Sequence, residues 1–196
     1  MYHSVLFVTL VLSAQDLPPQ DSRPSVRELL KVYGVSEQIV VTDDAQLEPA
    51  ALLAGSDLVV RGVMRGRNDK LTKDGLSVLT DYTFEVREAI HPRDGFPKER
   101  YIVTVQRPEG TVNVSGRAFV ASENGFPRFT LNEEYFLFLR WDGANAYRVV
   151  GGAQGAYRVS NGYVYLSDGR GPNIEVAADD FAHTLRAELD RQASRN

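Results

Sequence analysis

From Asp57 to Ile90 the hydrophobic positions recur every second residue, the spacing of β-strands that bury one face. Leu58, Val60, Gly62, Met64 and Gly66 make one face of the first stretch, and Val59, Arg61, Val63, Arg65 and Arg67 make the other. Asn68 to Gly75 reads as a polar loop. Beyond it, Val78, Tyr82, Phe84, Val86 and Ile90 alternate with Ser77, Asp81, Thr83, Glu85 and Arg87, so the two stretches are predicted to pair antiparallel. His91 to Lys98 reads as a loop, Tyr101 to Gln106 as a strand and Thr111 to Val114 as a short edge strand. Glu134 to Trp141 is apolar on both faces, with Tyr135, Leu137 and Leu139 against Phe136 and Phe138, which predicts a central strand covered twice. Asp142-Gly143 begins a turn into Tyr147 to Val150. Asn161-Gly162 supplies the positive φ angles of a type I′ hairpin.

Helical spacing appears at the two ends. Ser25 and Glu28 form a capping-box pattern ahead of Val26, Leu29, Leu30 and Tyr33, predicting a helix over 26–33 with Gly34 as its stop. Ile39 to Val41 is a short strand, and Glu48 to Ala54 a second brief helix with Pro49 in its first turn. Near the C-terminus Phe181, Ala182, Leu185 and Leu189 share one face of a helix over 179–192, whose start Asp179 and Asp180 favour through the helix dipole. About eight short strands with peripheral helices point to a barrel or sandwich rather than to βαβ units.

The first residues read differently. Ser4 to Leu12 is an almost uninterrupted apolar run, followed by the small residues Ser13 and Ala14 and then by Gln15-Asp16. A helix spanning the roughly 30 Å of a bilayer core needs about 20 residues, so this run has instead the length of a secretion-signal core. Residues 1–14 are therefore read as a signal peptide, with a buried N-terminal strand as the alternative because Val, Phe and Thr suit β structure. Residues 15–46 are read as a linker with a short helix and strand, and 47–196 as the main domain. No other apolar run is long enough to span a membrane, and the mature chain is expected to be secreted or periplasmic.

Composition narrows the chemistry. The 196-residue chain carries a net charge of −4, which disfavours nucleic-acid and anionic-membrane partners. It contains no cysteine, which removes disulfides, thiolate nucleophiles and thiolate metal sites together.

Three segments carry a resemblance: Ser56 to Gly62 after a short helix, Tyr82 to Val86 after a polar loop, and Asn132 to Leu139. Together the run 47–140 resembles the netrin-like group of OB-folds, which includes the tissue inhibitors of metalloproteinases. With Tyr147 to Gly152 and Gln154 to Val159 the chain is also similar to uncharacterised exported bacterial proteins. The resemblance implies an OB-like antiparallel β-barrel with short N-terminal helices and a C-terminal helix. It transfers no mechanism, because those inhibitors chelate the protease zinc through a disulfide-bonded N-terminal cysteine and this chain has none.

The candidate chemistry is sparse. Histidines stand only at 3, 91 and 183, without ligand spacing, and Ser77 and Ser115 lie in no nucleophile elbow. Asp43-Asp44, Glu133-Glu134 and Asp179-Asp180 are adjacent pairs; neighbours in a strand face opposite sides, and the last pair fits a helix start. Gly151 to Gly155 lacks the lysine and Ser/Thr of a phosphate loop and reads as a bend between strands. No cofactor or metal is expected. Arg61, Arg65 and Arg67 form a row that would suit an anionic ligand, or would pair with Asp81 or Glu85 across the sheet. Phe96, Phe126 and Phe129 lie in loops, where Phe126 and Phe129 form either an exposed binding tip or a barrel cap. The reading is an exported, non-enzymatic binding or interaction domain, with Arg61, Arg65, Phe126 and Phe129 as candidate ligand contacts and another exported or envelope protein as its partner. An envelope hydrolase using dispersed carboxylates and a structural envelope subunit are the alternatives.

Overall fold

The computed structural model describes residues 10–13, 24–32, 34–41, 47–92, 101–126, 128–143, 146–166 and 174–194. It is mostly β with a C-terminal helix. Among the described residues twelve strands occur: β1 (Leu10–Ser13), β2 (Glu37–Val41), β3 (Leu58–Leu71), β4 (Val78–His91), β5 (Ile102–Arg107), β6 (Gly110–Val114), β7 (Arg117–Glu123), β8 (Glu134–Trp141), β9 (Tyr147–Val149), β10 (Ala156–Ser160), β11 (Tyr163–Leu166) and β12 (Ile174–Ala177). The helices are α1 (Val26–Lys31), α2 (Pro49–Ala54) and α3 (Ala178–Ala193). The chain divides into two compact units, one of residues 1–43, 67–81 and 106–127, the other of 44–66, 82–105 and 128–196.

In the first unit the sheet order is β1-β2-β7-β6, with β2 parallel to both β1 and β7 and β6 antiparallel to β7. Helix α1 begins as its capping box predicts: Ser25 Oγ accepts the Glu28 amide, and the Glu28 carboxylate accepts from the Ser25 amide at 2.8 Å. Its Val26, Leu29 and Leu30 are buried with Val35, Val78, Phe119 and Ala121. Strand β3 continues to Leu71 where a loop from Asn68 was predicted. The polar residues there find partners on neighbouring strands: Lys70 pairs with Asp81, and Asp69 accepts from Thr80 Oγ1 at 2.9 Å. Only Thr72 to Ser77 turns, closed by the Thr72 amide donating to the Ser77 carbonyl.

The second unit is built on the sheet order β12-β11-β10-β8-β3-β4-β5-β9 with a further β8–β9 pairing. Strands β3, β4 and β5 follow one another and β8 returns beside β3, the 4-1-2-3 order of a Greek key. Because β9 pairs with both β5 and β8, the five strands β8, β3, β4, β5 and β9 form a ring of pairings. Strand β8 lies between β3 and β10, with Tyr135 to Leu139 all buried, as its two apolar faces predict. Phe136 and Phe138 pack with Leu52, Leu53, Val59 and the α3 face of Phe181, Ala182 and Leu185. The β10–β11 hairpin turns at Asn161 (φ 52°) and Gly162 (φ 81°), as Asn-Gly predicts. Gly152–Gly155 forms a single 3-10 turn.

Candidate functional site

Arg61 and Arg65, two of the three arginines in the row read from the sequence, are both paired with carboxylates within the second unit. Arg61 on β3 donates from Nη2 to Glu134 Oε2 at 2.9 Å and from Nη1 to Asp179 Oδ1 at 2.8 Å. Burial works against its charge, yet the hydrogen bonds to Glu134 and Asp179 outweigh that and raise its pKa. Arg65 donates from Nε to Glu85 Oε2 at 2.8 Å and from Nη1 to Asn132 Oδ1 at 2.9 Å. Arg61 therefore ties β3 to β8 and to the first turn of α3, while Arg65 ties β3 to β4.

Phe129 is buried in the same unit. Its ring meets Tyr82, Phe84 and Tyr135 edge-on, with centroids 5.0, 5.1 and 5.0 Å away. It fills a core with aromatic edges against faces, the arrangement ring quadrupoles favour. Tyr135 accepts the Thr130 amide at 3.0 Å and donates to Glu133 Oε2, and burial pushes its phenol pKa up.

Acidic neighbours serve different partners. Glu133 pairs with Arg158 while Glu134 pairs with Arg61, and Asp179 and Asp180 occupy the first turn of α3. Asp43-Asp44 and Phe96 lie outside the described residues, as does His3. His183 is exposed on α3 and His91 ends β4. Among the described residues no group of three or more His, Asp or Glu is placed to hold a metal ion.

Phe126 belongs to the first unit, where it is buried under Arg107. Arg107, 2% exposed, donates from Nη1 to Glu109 Oε1 at 3.0 Å, from Nε to Glu123 Oε2 at 3.1 Å and from Nη2 to the Phe126 carbonyl at 2.8 Å. One guanidinium thus closes β5, β7 and the chain after β7 into a buried network. Asp69 is a second hub, accepting from Arg67 Nε, Thr80 Oγ1 and the Thr111 amide. Burial favours its protonated form, but those donors prevail and lower its pKa.

The same unit carries a basic cleft that the sequence reading did not single out. It measures about 340 Å³ and is lined by Arg27, Leu30, Lys31, Val114, Ser115 and Arg117. Arg27 and Lys31 stand four residues apart on α1, which places them on one face of the helix. Arg117 opens β7 and donates from Nη1 to the Leu30 carbonyl at 3.3 Å, which brings its guanidinium to the last turn of α1. No carboxylate among the described residues forms an ion pair with these three cations. The helix's own acid, Glu28, is turned back to the cap at Ser25. The repeat of Arg27 and Lys31 was readable as a basic helix face; Arg117 was not, because no strand was predicted over 117–123.

Comparison with family models and with curated proteins finds no match to this chain. Among the described residues, no helix is long and apolar enough to cross a membrane.

Proposed function

We propose that the chain is an exported, non-enzymatic binding domain whose second unit is an OB-like barrel and whose contact surface is the basic cleft of its first unit. The observation that carries this reading is the convergence of Arg27, Lys31 and Arg117, with no carboxylate partner among the described residues, in a chain whose net charge is −4. Elsewhere Arg61, Arg65, Arg67 and Arg107 are each held by a carboxylate. Cations left uncompensated beside an apolar floor repel one another, and a ligand that supplies the missing charge relieves that repulsion.

The ring of five strands with a Greek-key order supports the OB-like part, since that fold is a five-stranded, partly open Greek-key barrel. It is also what the netrin-like resemblance implies. The apolar run 4–12 with Ser13 and Ala14 after it supports export. In the uncleaved chain Leu10–Ser13 lies on β2 as a parallel strand. Neither the β2–β7 nor the β7–β6 ladder includes these residues.

Expression of the full chain with its own N-terminus, followed by cell fractionation and intact-mass analysis, tests export. The expected product is a periplasmic or secreted chain beginning at Ala14 or Gln15; a cytoplasmic chain that retains residues 1–13 overturns it. Affinity capture from the envelope, comparing the native chain with R27Q/K31Q, tests the cleft as the contact surface. Retention of an envelope component that depends on both side chains is expected; equal retention by the two proteins contradicts it.

A further inference from the structure

The geometry points to a phosphate-bearing ligand for the basic cleft, its anionic group held by Arg27, Lys31 and Arg117 and its apolar portion against Leu30 and Val114. This rests on the reading of the chain as a binding domain and specifies what it binds. The floor is firm, because Leu30 is buried in the core of the first unit and Val114 packs against it. The rim is equally defined. Val114 and Arg117 face each other across a two-residue turn, Ser115-Gly116, in which Ser115 has φ 55° and Gly116 φ 81°. That hairpin holds Arg117 and Ser115 at the cleft edge, while α1 holds Arg27 and Lys31.

The number and kind of cations select the anion. A carboxylate carries one charge, which offsets only part of the positive charge of three cations. A phosphate group offers more acceptor oxygens and up to two charges, so it accepts from two planar guanidinium groups and from an ammonium together. Arg117 spends one of its donors on the Leu30 carbonyl and keeps the remainder for a ligand. The carbonyl also orients it, so less rotamer freedom is lost on binding. With an overall charge of −4 the protein as a whole repels anions, so attraction at the cleft is local. At physiological salt it extends about 8 Å. A ligand with an apolar portion gains from Leu30 and Val114 what long-range attraction does not supply.

The phosphate belongs either to a soluble compound or to a lipid headgroup, and the two are separated by experiment. The full chain and R27Q/K31Q are titrated calorimetrically with inorganic phosphate, pyrophosphate and acetate, and sedimented with vesicles of phosphatidylglycerol and phosphatidylcholine or of phosphatidylcholine alone. Saturable binding of a phosphate-bearing probe, no binding of acetate, and a loss of about tenfold or more in R27Q/K31Q at unchanged thermal midpoint are expected. Arg117→Lys keeps the charge but not the fork and weakens phosphate binding without abolishing it. Co-sedimentation with phosphatidylglycerol vesicles alone assigns the headgroup; binding of soluble probes alone assigns a free phosphate compound. If no phosphate-bearing probe binds up to roughly 10 mM, or the variant binds equally well, the phosphate assignment is overturned. If envelope capture by the native chain still depends on Arg27 and Lys31 in that case, the binding-domain reading survives; if it does not, both fall.

Discussion

The guanidinium carbon of Arg107 lies 3.3 Å from the centroid of the Phe126 ring, and both side chains are buried. A cation on an aromatic face is attracted by the ring quadrupole, more strongly where water is excluded. The same guanidinium forms ion pairs with both Glu109 and Glu123, whose side chains are 1% and 6% exposed. Phe126, read from sequence as a binding tip or a cap, is the base on which this network rests.

Removing that cation takes from two buried acids an ion-pair partner that they share. Arg107→Ala is expected to destabilise the protein by about 3–5 kcal/mol, the cost of breaking a buried ion pair from one side. Urea denaturation followed by circular dichroism measures it. Arg107→Lys recovers only part of the loss, since an ammonium does not reproduce three planar contacts. A midpoint unchanged in Arg107→Ala contradicts this account.

Asp69 gives the first unit a dependence on pH. Its pKa is lowered in the folded chain, with burial outweighed by its bonds to Arg67, Thr111 and Thr80. A carboxylate of this kind contributes stability above its unfolded pKa of about 4 and loses it as the pH falls through the lower folded value. Asp69→Asn is therefore expected to lower the denaturation midpoint at pH 7 and to narrow the gap from the native chain as the pH falls below about 4. A gap that widens with acid contradicts it.

Phe129→Ala opens a hole among Tyr82, Phe84 and Tyr135 in the second unit. Large-to-small changes of an aromatic core residue cost about 3–5 kcal/mol. Phe129→Leu keeps most of the volume and is expected to lose less. Thermal unfolding of the pair measures the difference, and equal midpoints for Phe129→Ala and the native chain would show the ring to be dispensable.

Gly155→Ala reports on the tight backbone after β9. A Cβ there falls 2.0 Å from the Val150 carbonyl oxygen, closer than any side chain adopts without moving the backbone. The variant is expected to lose stability and to disturb the amide signals of 149–156. Gly143, where an added Cβ meets nothing within 4 Å, is the control for space alone; its φ of 80° still favours glycine.

What could be read from the sequence is what neighbours along the chain decide. The Ser25–Glu28 cap spans four residues, the Asn161-Gly162 turn two, and the apolar faces of β8 and α3 follow from simple periods. Longer-range pairings were harder. Asn68 to Leu71 reads as loop because its residues are polar, but Asp69 and Lys70 are satisfied by Thr80 and Asp81, eleven residues on. Strand β7 escapes notice because its buried face is only Phe119 and Ala121. Glu85 was readable as a partner for Arg65, whereas Asp179 meets Arg61 from 118 residues away. The basic cleft was illegible for the same reason: it exists only once Arg117 is brought beside α1.

The account turns on that cleft, and amide chemical-shift mapping during a pyrophosphate titration of the isotopically labelled chain tests it most directly. Saturating shifts confined to 26–31 and 114–117, and lost in R27Q/K31Q, are the predicted result. Shifts centred on Arg61 and Arg65, or the same pattern in the variant, would contradict it.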